Sequence, residues 1–68
     1  MSTFKEANQI RLRLKMQLSQ YMWYSGSVVM TDSDGYAVTI LVSQLDNKVR
    51  KLISPVIDGV SVKTEVAV

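Results

Sequence analysis

Ser27-Val28-Val29-Met30-Thr31-Asp32-Ser33-Asp34-Gly35-Tyr36-Ala37-Val38-Thr39-Ile40-Leu41-Val42 decides how this chain folds. Residues 27–31 and 36–42 are rich in β-branched and aromatic types, which suit a pleated, half-buried surface. Between them, Asp32-Ser33-Asp34-Gly35 has turn chemistry, with Gly35 where a positive φ is needed. The stretch predicts a β-hairpin. In its second strand Tyr36, Val38, Ile40 and Val42 point to one side and Ala37, Thr39 and Leu41 to the other. The first side is wholly apolar, so the sheet has one committed inner face.

Downstream, Ser43-Gln44-Leu45-Asp46 reads as a helix start, with Ser43 as the cap and Asp46 favourably placed in the first turn against the helix dipole. Leu45, Val49, Leu52 and Ile53 form the predicted buried stripe, and Lys48, Arg50 and Lys51 lie towards the C-terminal end. Pro55 ends this helix because it lacks an N–H and keeps Ser54 out of the helical region. After an Asp58-Gly59 turn, Val60, Val62, Thr64, Val66 and Val68 alternate with Ser61, Lys63, Glu65 and Ala67, predicting a half-buried strand to the last residue.

Upstream, Thr3 and Glu6 have capping-box spacing, and neither Gly nor Pro interrupts before Gly26. A first helix of about twenty residues is expected. At 100° per residue Ala7, Ile10, Leu14, Leu18 and Tyr21 share one sector, with Phe4 and Met22 at its margin. Leu12, Met16 and, if the helix reaches it, Trp23 fall on a second sector, mixed with Lys5, Gln9 and Ser19.

These elements give an α+β, two-layer α-β-β-α-β domain spanning residues 1–68. The second strand, second helix and third strand form a β-α-β unit, with a right-handed crossover and parallel strands. Placing the third strand beside the first gives a three-stranded sheet of order 2-1-3, with both helices on one face. Ala37, Thr39, Leu41, Ser61, Lys63 and Glu65 are then left on the other.

At 68 residues the chain forms one small core. Folding at this size buries only about 60% of the unfolded surface, so stability is marginal and oligomerisation is a common remedy. With no Cys and no His, thiolate zinc sites, cysteine nucleophiles and histidine bases are absent. The net charge of +2 is mild. Met1-Ser2-Thr3-Phe4-Lys5-Glu6 has no leader-like apolar region, and no apolar run approaches the roughly eighteen residues of a membrane helix. The expectation is a cytoplasmic protein without membrane attachment.

Asp32-Ser33-Asp34-Gly35 lacks the twelve-residue frame and terminal bidentate Glu of a calcium loop, so it reads as a turn. The six carboxylates are scattered and the three glycines dispersed, which leaves neither an acid–base pair nor a phosphate loop. No catalytic residue, cofactor or metal is implied. Leu12, Met16 and Trp23 are the candidate protein interface, because apolar side chains including Met and Trp at helical spacing mark contact surfaces. The alternative is nucleic-acid contact by Arg11, Arg13, Lys15, Lys48, Arg50 and Lys51. Homodimerisation or a protein partner is expected, with open sheet edges adding a route to pairing.

Gly26-Ser27-Val28-Val29, Asp32-Ser33-Asp34-Gly35, Val38-Thr39-Ile40-Leu41-Val42 and Ile53-Ser54-Pro55-Val56-Ile57-Asp58-Gly59-Val60-Ser61-Val62 carry a resemblance. Residues 25–68 resemble a small bacterial β-β-α-β module found ahead of trypsin-like domains, in which an I-P-x-x-I-D-G-V-P-V phrase leads into the last strand. Ser61 stands where that phrase has its second Pro, and the first helix lies outside the match. The resemblance implies a fold and no activity. The expected function is that of a non-catalytic binding or regulatory accessory protein, such as a phage or mobile-element inhibitor.

Overall fold

The computed structural model describes residues 3–33 and 35–67. Among them the order is α1 (Phe4–Leu18), β1 (Tyr24–Asp32), β2 (Gly35–Val42), α2 (Asn47–Leu52), β3 (Val56–Ile57) and β4 (Val60–Val66). Met1, Ser2, Asp34 and Val68 lie outside the described residues; the strand expected to run to Val68 ends at Val66, with Ala67 already beyond it.

The α+β class is as expected, but the sheet is four-stranded with order β1-β2-β4-β3. The third long strand, β4, pairs parallel with β2 and not with β1, so the 2-1-3 order is corrected. The reason lies in β2. Residues 37–40 are all buried, and such a strand belongs at the centre, hydrogen-bonded on both edges. By contrast β1 alternates between half-buried and exposed positions along most of its length, as suits an edge.

Both helices pack on one sheet face. Ala7, Ile10, Leu14 and Leu18 of α1 join Val49 and Ile53 from the α2 region, and Val38, Ile40, Val42, Val60 and Val62 from the strands, in one core. On the opposite face, away from the helices, Ala37 and Thr39 are nonetheless only 1% and 2% exposed. Their neighbours in the sheet cover them. Thr39 Oγ1 donates to Met30 Sδ at 3.5 Å, and Lys63 Nζ reaches to 4.0 Å from Asp32 Oδ2. From the strand registers, that ion pair crosses β2 near Ala37.

Helix α1 is 15 residues long and stops at Leu18, short of the expected twenty. It is closed at its start by the Thr3–Glu6 capping box, and at its end the Ser19 N–H donates to the Lys15 carbonyl at 3.0 Å. Tyr21 N–H donates to the Leu18 carbonyl at 2.9 Å, and the chain turns into β1. Phe4 and Tyr36 meet edge-on, with ring centroids 5.5 Å apart.

Helix α2 is capped by Asp46, whose Oδ1 accepts from Val49 N–H at 2.9 Å. The expected cap, Ser43, is still in the sheet ladder, its N–H donating to the Trp23 carbonyl at 2.8 Å. Leu45 therefore precedes the helix and packs half-buried against the core. Leu52, placed in the buried stripe by the sequence, is 48% exposed.

The two-residue β3 is too short for periodicity to announce it. It forms a tight hairpin with β4, pairing Val56 with Ser61 and Ile57 with Val60. Asp58 and Gly59, at φ of 49° and 81°, make the two-residue turn, in which both positions need positive φ.

Ile40→Ala is expected to cost about 2–5 kcal/mol against the roughly 3–10 kcal/mol typical of a chain this size. Leu52→Ala should stay within about 0.5 kcal/mol. Denaturant titration of the two variants checks both the central place of β2 and the outward placement of Leu52.

Candidate functional site

Helix α1 turns Ala7, Ile10, Leu14 and Leu18 into the core, which fixes what its other side presents. Leu12 and Met16, one turn apart, stand on that outer side at 44% and 81% exposure. An exposed Leu or Met alone is unremarked on any surface, but two in succession on one helix face form a contiguous apolar strip.

Trp23 does not join them. The helix ends five residues earlier, and Trp23 is half-buried, stacked on Tyr21 at 4.9 Å with 16° between the rings. Both rings pack against the core. The structure thus keeps Leu12 and Met16 as a pair and gives Trp23 a packing role. Met22, which the sequence placed at the margin of the buried stripe, is 99% exposed in the turn after α1.

The basic residues also divide. Arg11 Nε donates to Asn8 Oδ1 at 3.0 Å, and Arg13 Nη1 meets Asp58 Oδ2 at 3.3 Å, tying α1 to the β3–β4 turn. Both partners of that ion pair are largely exposed, so its contribution is at most about 1 kcal/mol. Lys15, Lys48, Arg50 and Lys51 are exposed and form no ion pair among the described residues. Lys15, Arg50 and Lys51 occupy the last turns of their helices, where a cation complements the dipole.

A second apolar surface went unnoticed in the sequence. The β1–β2 register puts Val28 and Met30 on the sheet face away from the helices, beside Thr39 and Ala37. Both are substantially exposed. Residues 28 and 30 alternate correctly for this, but the face they occupy follows only from the pairing with β2.

Between α1 and the β3–β4 turn lies a cleft of about 110 Å³ lined by Glu6, Gln9, Ile10, Arg13, Asp58 and Val60. It falls well short of the roughly 300–1,000 Å³ of small-molecule pockets. Of its two carboxylates Asp58 pairs with Arg13, and Glu6 is held below the usual carboxylate range by the Thr3 backbone N–H and then by the Thr3 hydroxyl, at 3.1 Å and 3.0 Å. That carboxylate is occupied in capping α1. Among the described residues no cluster of three or more acidic side chains could hold a metal ion, and no helix is long and apolar enough to cross a membrane.

Compared with protein-family models, curated proteins and solved structures, the chain matches none.

Because the folded pKa of Glu6 is lowered, its stabilising effect is complete above the unfolded carboxyl's ordinary value of about 4.3 and is lost as pH falls through the folded value. Thermal unfolding of Glu6→Gln should therefore show a lower midpoint than the unsubstituted chain at pH 7. At pH 3 the gap should narrow.

Proposed function

We propose that this chain is a small non-catalytic accessory or regulatory protein that docks a partner protein on the outer side of α1. The observation that supports the reading is the uncovered Leu12–Met16 strip, formed on a helix whose opposite side already supplies the core. Apolar side chains including Met are typical of the buried centres of protein contacts, and Met adapts its shape to a partner. The carboxylates with structural partners support the same reading. Glu6 and Asp46 cap helices, while Asp32 and Asp58 pair with lysine and arginine. A small domain of this kind suits a cytoplasmic inhibitor carried by a phage or mobile element.

The second reading is nucleic-acid contact. It draws on Lys48, Arg50 and Lys51, which are exposed on α2 with no ion pair among the described residues, together with Lys15. Arg11 and Arg13 are engaged with Asn8 and Asp58, which weakens the larger cluster. Such binding would fall steeply as salt rises.

Leu12→Asp with Met16→Asp is expected to abolish capture of a partner from a lysate of the source cells while costing only about 1–2 kcal/mol of stability, the helix-propensity and dipole cost of two aspartates in α1, since neither side chain lies in the core. Unchanged capture by the double variant would sink the docking reading. Polarisation measurements on labelled DNA and RNA at low salt decide the second reading, with Lys48→Glu, Arg50→Glu and Lys51→Glu together removing any signal that α2 carries.

A further inference from the structure

The two edges of this sheet are unequally guarded. On one side β3 is two residues long and follows Pro55, and it covers only Val60 and Ser61 of β4. The remainder of β4 carries Lys63 and Glu65. Short strands, proline and charge are the devices that keep a sheet edge from pairing with another chain. On the other side β1 runs nine residues, with no proline and no charge before Asp32. Nothing among the described residues lies beyond it in the sheet. In an antiparallel pair every second residue turns its N–H and C=O away from the neighbouring strand, so β1 presents a row of backbone donors and acceptors.

We propose that a second copy of this chain pairs there, β1 against β1, antiparallel about a twofold axis beside Val29. Three features of the strand select that arrangement. The irregularity between Tyr24 and Gly26 interrupts regular pairing at the start of β1, leaving Gly26 to Asp32 as the regular stretch, with Val29 at its middle. Centring the axis on Val29 sets Val28 opposite Met30 of the second copy, twice, so the side chains exposed by 40% and 51% on the open face meet each other. The same register sets Val29 opposite its own counterpart on the helix side. Finally, Asp32 is the only charge on β1, and the antiparallel arrangement carries the two copies of it to opposite ends. A parallel pair would place them side by side. The twofold contact is closed, which gives a dimer and not a fibre. The joined sheets present the Val28 and Met30 side chains of both copies as one apolar band, on the face away from α1. This pairing uses a different surface from the α1 docking site and does not depend on it.

Light scattering coupled to size exclusion, from micromolar to millimolar chain, tests the proposal on the full chain. The expected result is a doubled mass that Val28→Lys with Met30→Lys returns to that of a single chain, raising the dissociation constant at least about tenfold, or 1.4 kcal/mol. Leu12→Asp with Met16→Asp should leave the dimer intact. Because the chain has no Cys, Val29→Cys supplies a second readout that survives any folding defect in the lysine variant. Oxidation should link Val29→Cys into a dimer through the axis, whereas Ser33→Cys, with its two copies roughly 27 Å apart at 3.4 Å per residue, should stay unlinked. A single-chain mass at millimolar concentration overturns the proposal. So does a dimer that dissociates in the Leu12/Met16 variant, or cross-linking that is no faster at position 29 than at 33.

Discussion

Ile40 sits midway along β2 with β1 hydrogen-bonded on one side, β4 on the other and side chains of both helices in the core it shares. A strand so placed has no exposed edge, and its buried aliphatic side chains each contribute about 1.5–3 kcal/mol by leaving water. The other elements take positions that this burial requires. The Asp32 to Gly35 turn brings β1 to one edge, and α2 carries the chain back so that β4 lies parallel on the other. Helix α1 then covers the sheet with the stripe from Ala7 to Leu18. Even the far face is closed over β2 from within the sheet, by Met30 on Thr39 and by the Lys63–Asp32 pair.

Much of this was legible because local chemistry and tertiary need coincide. Thr3 with Glu6 starts a helix in the sequence and in the structure, the pairing of Asp32 with Gly35 closes the hairpin, and α2 ends at Leu52, ahead of Pro55. The parallel β-α-β relation was likewise readable from element order. Where the reading failed, two local signals competed and packing chose between them. Ser43 and Asp46 are both good caps, but the Ser43 N–H is taken by Trp23 in the ladder, so the helix waits for Asp46. Strand order is not a local property at all. Only the burial of Ala37 and Thr39, set by neighbours distant in sequence, shows that β2 and not β1 is the centre.

The candidate surface was half legible for the same reason. Helical periodicity correctly separates Leu12 and Met16 from the core stripe, since both lie inside an unbroken helix. It could not place Trp23, because the register was extrapolated across a helix end that no Gly or Pro marks. Beyond that end the stacking of Trp23 on Tyr21 decides, and it turns the indole inward towards the core. The β1 surface escaped notice because alternation says that Val28 and Met30 share a side without saying which side.

A two-layer domain of this length has one core and therefore one obligatory apolar side for each element. Apolar residues beyond that requirement stay exposed, several of them singly, as Met22 and Leu52 do, and in pairs on the outer side of α1 (Leu12, Met16) and on the open face of β1 (Val28, Met30). The polar side chains show the reverse pattern. Glu6, Asp46, Asp32, Asp58, Arg13 and Lys63 are engaged in caps and ion pairs that hold helix ends, turns and strands together. These polar contacts tie the elements to one another, while Lys15, Lys48, Arg50 and Lys51 stay solvated, as the exposed apolar pairs do. Substitutions on the outer side of α1 and on the open face of β1 therefore change the surface without entering the core around Ile40.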